Sequence, residues 1–176
     1  MTIAIKLKKG FKQLVLAQTI LSLVLLSVFV LPARAATTAS VTATVTVQNI
    51  SVAVSDGTVS YGTLALNTSG GTNGSDTQTA TNDGNVTVDF NVRGQNTAAW
   101  TLGATAGSNQ YVHRFCVATC GSAPTNYTAL TTSYQTLASS KAASATQTFD
   151  LHITTPTSTS SYAQQSVDIT VQAATP

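Results

Sequence analysis

The sequence predicts an all-β protein, an antiparallel β-sandwich of immunoglobulin-like architecture with about nine strands, preceded by a cleaved signal helix. Two observations favour this fold class. Short runs in which apolar and polar residues alternate fill the chain beyond residue 35, and turn signals separate these runs about every 8 to 12 residues. Immunoglobulin-like sandwiches are built from strands of this length and spacing.

Residues 1–35 have the features of a secretory signal peptide. A lysine-rich start is followed by an apolar run over residues 14–31, and Ala33-Arg34-Ala35 matches an A-x-A cleavage site. We therefore expect a mature chain of residues 36–176 that is secreted and reaches the extracellular cell surface. The apolar run is nearly long enough to span a bilayer, so an uncleaved anchor is an alternative.

A second alternative concerns the start of the same segment. Lys8-Lys9-Gly10-Phe11 resembles the prepilin-peptidase site of type IV pilins. This resemblance implies cleavage between Gly10 and Phe11, with the apolar helix retained as the core of a filament.

The charge of the chain has to be assigned separately to its two parts. The full sequence has a formal net charge of +2, but five of its eight basic residues lie in residues 1–35. The remainder carries three basic residues against six aspartates, a net charge of −3. The basic balance therefore does not indicate nucleic-acid binding, and we expect membrane contact during export only.

The first segment of the mature chain, residues 41–54, contains an irregular alternation. Val41, Ala43, Val45 and Val47 are apolar at odd positions, whereas the apolar set moves to even positions at residues 50–54. Because side chains of a strand alternate between its faces, the shift requires a bulge, a crossover between sheets, or two separate strands. Residues 41–47 are therefore a candidate donor or edge strand that could pair with a neighbouring molecule.

The remaining strands are predicted wherever the alternation recurs. Val86, Val88, Phe90 and Val92 give the clearest case, since a polar residue follows each of them. The predicted strands beyond residue 57 are 58–66, 78–81, 86–92, 100–104, 111–117, 127–130, 134–137, 149–153 and 167–173.

Turn residues separate these strands. Gly62 predicts a bulge or a close backbone contact within strand 58–66. Residues 67–76 are rich in Gly, Ser, Thr and Asn and are predicted as a loop. Asp83-Gly84 is the strongest hairpin signal of the chain, because this pair tolerates the positive φ of a tight turn. We therefore expect strands 78–81 and 86–92 to form a β-hairpin.

Cys116 and Cys120 are the only two cysteines, and both lie in the exported part. In an oxidising compartment they are expected to form one small disulfide loop. A redox site and an intermolecular disulfide are the alternatives, although the three intervening residues differ from the two of a thioredoxin-like motif.

The titratable residues predict no catalytic or metal centre. His113 and His152 both lie within strand patterns and are read as core or sheet-face residues. Neither is accompanied by the Cys, Asp or Glu cluster of a zinc site, and each aspartate-bearing turn offers only one carboxylate to calcium. We expect no cofactor and no enzymatic activity.

Aromatic residues suggest a ligand platform as an alternative to core packing. Trp100 alternates with Leu102 and is predicted to be the core tryptophan of the sandwich. If Trp100, Tyr111 and Tyr134 instead turned outward together, their rings could stack on a glycan.

Two motif sets resemble bacterial surface families. Trp100-Thr101-Leu102 is similar to the Trp-x-Leu motif of WxL cell-surface domains, which bind the envelope non-covalently. Three further stretches resemble the layout of spore coat protein U and related fimbria-like domains: Val59-Ser60-Tyr61-Gly62-Thr63-Leu64, Thr81-Asn82-Asp83-Gly84-Asn85 and Ser166-Val167-Asp168-Ile169-Thr170-Val171. The resemblance implies a surface-exposed structural or adhesive module, with strand donation as a route to polymerisation.

These observations lead to two functional hypotheses. The first is a structural subunit of an extracellular fibre, pilus-like filament or coat, which self-associates into a homopolymer when residues 41–47 add to an open sheet edge of a neighbour. The alternative is a monomeric adhesion module that binds cell wall or glycan.

Overall fold

The computed structural model describes residues 36–176, and the predicted signal, with both of its alternatives, lies outside this range. Ten strands make up the regular structure of the described residues. They are β1 Val52–Ser55, β2 Ser69–Gly71, β3 Gln78–Asn82, β4 Val88–Arg93, β5 Thr101–Leu102, β6 Gln110–Cys116, β7 Thr128–Ala129, β8 Gln135–Lys141, β9 Thr146–Thr154 and β10 Thr170–Ala174. No helix within residues 36–176 is long and apolar enough to cross a membrane.

The strands form two sheets, which confirms the predicted β-sandwich. The larger sheet has the order β1-β3-β9-β6-β5, with β2 also paired to β9 and β7 also paired to β6. The smaller sheet has the order β10-β4-β8. Among the ten strands of the described residues, every pairing is antiparallel except that of β5 with β6.

The core lies between the sheets and follows the alternation of the sequence. In β4, Val88, Phe90 and Val92 are fully buried, whereas the residues between them are half-buried. They pack with Phe115, Leu137, Phe149 and Leu151 of the other strands. The prediction for this strand is confirmed because a residue repeat of two places every second side chain on the same face.

The predicted hairpin at residues 82–85 is wrong. β3 belongs to the larger sheet and β4 to the smaller one, so the turn carries the chain between sheets. The side chain of Asn82 is buried at this crossing, where its Nδ2 donates to the carbonyl oxygens of Val86 and Lys141 and its Oδ1 accepts the N–H of Gly84. Neither Asp83 nor Gly84 adopts the positive φ that the hairpin reading requires.

The strand predicted at residues 58–66 is also not formed. This segment has no regular structure, although Val59 and Tyr61 pack against the core. Gly62 adopts a φ of 66°, and a Cβ atom at this position would contact nothing. The glycine therefore serves the backbone turn and not a close approach. The loop predicted at residues 67–76 contains the short strand β2.

The irregular alternation at residues 41–54 marks a change of conformation from a segment without regular structure to a strand. The second half of this stretch contains β1, which pairs with β3. Residues 41–51 form no strand within this molecule, and the interpretation of residues 41–47 as a donor or edge strand stays a prediction. The compact unit that contains all ten strands begins at Thr46.

Candidate functional site

The smaller sheet ends in an open edge at β10. Within the described residues β10 pairs with β4 alone, and the five residues before it form no strand. The alternation nevertheless continues through this edge, since Val167, Ile169 and Val171 are half-buried and the residues Ser166, Asp168 and Gln172 are exposed. The edge thus offers unpaired backbone groups next to an apolar face that is only partly covered.

A cleft of about 460 Å³ runs beside this edge. It is lined by Val54 of β1, by Leu151 and Ile153 of β9, and by Ile169 and Val171 at the β10 edge. β1 and β10 are the edge strands of different sheets and contact one another. The cleft is therefore the opening of the sandwich core between two sheet edges.

The cleft is also lined by the aromatic side chains of Tyr61, Trp100 and Tyr111 and by a buried histidine, His113. His113 is 3% exposed, and its Nε2 lies 2.8 Å from the hydroxyl oxygen of Tyr61. Its Nδ1 has no hydrogen-bond partner among the described residues. Burial lowers the pKa of His113 to about 4, with a smaller contribution from His152. Burial likewise raises the pKa of Tyr61, with Asp76 adding to the effect.

The three predicted platform residues do not form one surface. Tyr111 is fully buried and its hydroxyl donates to the carbonyl oxygen of Gln95, while burial raises its pKa to about 12. Trp100 is half-buried at the cleft, with its ring centroid 6.3 Å from that of Tyr111. Tyr134 instead lies under Arg93, whose Cζ is 4.8 Å from the ring centroid. No ring face of Tyr111 is open to a ligand.

The candidate assembly residues are exposed. Val41, Val45 and Val47 have exposed fractions of 94%, 91% and 80%, and Ala43 is exposed as well. Such values are unusual for valine, which is among the residues most often buried. None of these four residues belongs to a strand.

The predicted disulfide between Cys116 and Cys120 is confirmed. The two Cα atoms are 5.7 Å apart, and neither cysteine is free. Cys116 is buried at the end of β6, and residues 117–120 after it form no strand. The bond thus fixes the turn after β6 and offers no thiol for redox chemistry.

The described residues hold no group of three or more His, Cys, Asp or Glu side chains that could bind a metal ion. His113 and His152 lie on adjacent strands, but His113 faces Ile153 in the register and His152 faces Arg114. Because side chains alternate along a strand, the two imidazoles lie on opposite faces of the sheet.

Two features of this region were missed from the sequence. Asn85 was read only as a turn residue, yet its side chain binds the backbone of Val47 and Asn49. The open edge at β10 was also missed, because the alternation of residues 167–173 predicts a strand but not its number of partners. No family model, curated protein or solved structure matches the chain.

Proposed function

We propose that this protein is a secreted structural subunit of an extracellular fibre, pilus-like filament or coat, and that it assembles by β-strand addition. Residues 41–47 of one molecule would act as the donor strand, and the open edge of β10 on another molecule would act as the acceptor. The observation that carries the proposal is the coexistence of an exposed alternating apolar segment and a sheet edge that has no further strand beside it within residues 36–176.

The donor has the pattern that such an edge requires. An added strand makes backbone hydrogen bonds along the edge, and every second side chain turns toward the cleft. Val41, Val45 and Val47 share one parity, so a strand conformation places all three on the cleft side. Burying each valine contributes about 1.5 kcal/mol or more, which offsets part of the conformational entropy cost of ordering the segment, and the backbone hydrogen bonds along the edge add to this contribution.

The acceptor is complementary in chemistry. Val54, Ile169 and Val171 present aliphatic side chains along the cleft. Residues 41–47 carry no charge, and threonines occupy the positions between the valines and the alanine. The donor would therefore bring no unpaired charge into the cleft and would leave a polar face toward solvent. The glycan-binding alternative is less well supported, because Tyr111 is buried and Tyr134 contacts Arg93.

Two double variants of the secreted protein test the parity of the donor. Val45→Thr with Val47→Thr keeps the side-chain shape but adds a hydroxyl to each cleft-facing position, so we expect loss of polymers. The matched control, Thr44→Val with Thr46→Val, changes the opposite face and should still polymerise. Light scattering after size-exclusion chromatography and negative-stain microscopy measure the outcome.

Deletion of residues 41–47 gives the more severe test. We expect a soluble, folded monomer that binds a synthetic peptide of residues 41–47. Filaments that persist after this deletion would overturn the mechanism.

Export is the second part of the proposal and has its own test. The N-terminal residue of the protein recovered from the cell surface should be Ala36. A start at Phe11 would instead support a filament core built from the apolar helix.

A further inference from the structure

The chain immediately before β1 is bound to the turn between β3 and β4. The backbone N–H of Asn85 donates to the carbonyl oxygen of Asn49 at 3.0 Å, and that of Asp83 donates to the carbonyl oxygen of Ser51 at 3.2 Å. The side chain of Asn85 adds two bonds, since its Oδ1 accepts the N–H of Asn49 at 2.8 Å and its Nδ2 donates to the carbonyl oxygen of Val47 at 2.8 Å. We call these four hydrogen bonds the latch.

The latch holds residues 47–51 in an extended conformation. Its partners on this segment are Val47, Asn49 and Ser51, which are spaced by two residues as in a strand. The Asn85 amide takes the place of a peptide group, because one side chain supplies both a donor and an acceptor. Gly84 permits the approach, since a Cβ atom there would collide with the carbonyl oxygen of Asn49.

The strand topology shows that this extended conformation prevents residues 41–47 from lying along β10 of their own molecule. β1 begins opposite the end of β3, where Val52 pairs with Asn82, and β10 ends opposite the start of β4, where Ala174 pairs with Asp89. A short turn joins β3 to β4, so β1 begins and β10 ends at the same end of the sandwich. To lie along β10 of its own molecule, the donor would have to reverse direction within residues 48–51.

A reversal within residues 48–51 is incompatible with the latch, which binds this segment at alternate positions. The reversed donor would also run parallel to β10, because both would run toward the same end. Parallel pairing is slightly less stable per residue than antiparallel pairing. A donor from a second molecule is free to enter in the antiparallel direction.

We infer that the latch keeps residues 41–47 out of the acceptor edge of their own molecule, so that strand addition takes place between molecules. Asn85 is thus a positioning residue, because it contacts Val47 at the C-terminal end of the donor segment, and Asn49 just after it, and not the cleft. This inference rests on the proposed function, and it adds a reason why a chain that carries both donor and acceptor does not close on itself.

The test compares Asn85→Ala with the unchanged secreted protein. We expect Asn85→Ala to form no polymers and to accumulate as a monomer. In this monomer the β10 backbone amides that face away from β4 should exchange their hydrogens with solvent roughly tenfold more slowly than in the unchanged monomer. A tenfold change corresponds to a hydrogen bond worth about 1.4 kcal/mol. Gly84→Ala should give the same result by a different route. Asn73→Ala is the matched control, because it removes an exposed side-chain hydrogen bond to the carbonyl oxygen of Cys120.

The added protection has to come from the donor itself. In the combined variant, Asn85→Ala with residues 41–47 deleted, the β10 amides should again exchange as fast as in the unchanged monomer. If Asn85→Ala gains no protection at β10, the latch has no such role and the inference is overturned, whether or not the protein polymerises. If the unchanged protein forms no polymers while Asn85→Ala gains protection, the proposed function fails and the latch stands.

Discussion

The hydroxyl oxygen of Tyr61 and Nε2 of His113 lie 2.8 Å apart, and their rings meet edge to face with centroids 5.7 Å apart. This contact joins a segment without regular structure to the middle of β6, beside the cleft. It satisfies one nitrogen of a buried imidazole and leaves the other without a partner among the described residues. A charged imidazole is costly in this environment, so the folded protein holds His113 neutral.

His113 should therefore make the protein less stable in acid. Above pH about 6.5 the imidazole is neutral in both the folded and the unfolded chain. As the pH falls from there to about 4, the unfolded chain binds a proton that the folded chain excludes. We expect the free energy of unfolding to fall by on the order of 3 kcal/mol over this window. Urea unfolding at a series of pH values measures it.

His113→Gln provides the control for this pH dependence. Glutamine retains an amide that can bond to the Tyr61 hydroxyl but does not titrate. His152, whose pKa is also lowered by burial, and all aspartates remain in both proteins. The variant should lose most of the decline between pH 6.5 and 4. An equal decline in both proteins would contradict the assignment to His113.

The disulfide should contribute modestly to stability. The bond between Cys116 and Cys120 closes a loop of only five residues, for which the chain-entropy relation gives about 2 kcal/mol. Reduction should lower the free energy of unfolding by this amount and raise the intact mass by two hydrogen atoms, while the sheets persist. Cys116→Ala with Cys120→Ala should be insensitive to reductant. Loss of cooperative unfolding on reduction would show that the bond carries more of the fold than its loop length indicates.

Removing the amide N–H donors of Asn82 should destabilise the folded protein. Asn82→Asp retains the acceptor for the N–H of Gly84 but places a carboxylate against the carbonyl oxygens of Val86 and Lys141. Because Asn82 is 1% exposed, we expect destabilisation of about 2 to 5 kcal/mol at neutral pH. The neighbouring exposed change Asp83→Asn should alter stability by less than about 0.5 kcal/mol. Equal denaturation midpoints for the two variants would contradict this role of Asn82.

The features that the sequence predicted correctly depend on local pattern. The alternation of β4 identified Val88, Phe90 and Val92 as core residues because a strand repeat by itself determines which side chains share a face. The disulfide was predictable because it was the only pairing available within the chain. Neither prediction required knowledge of distant partners.

The features that were missed depend on residues far apart in the chain. Residues 82–85 have the composition of a hairpin turn, but β3 pairs with β9 and β4 with β8 and β10, so the turn crosses between sheets. Likewise, Val59 and Tyr61 pack onto the core without a strand partner. Asn85 acquires its role only because residues 47–51 lie against it, which no local pattern records.

The position of β9 in the larger sheet has a consequence for how the chain folds. β9 pairs with β2, β3 and β6, yet it is the second-last strand to be synthesised. Until residue 154 has emerged from the ribosome, β9 is incomplete. The larger sheet then lacks the strand that joins β2 and β3 to β6. Pairings of such wide sequence separation make folding slow. The order of synthesis therefore delays formation of the larger sheet until most of the chain is made.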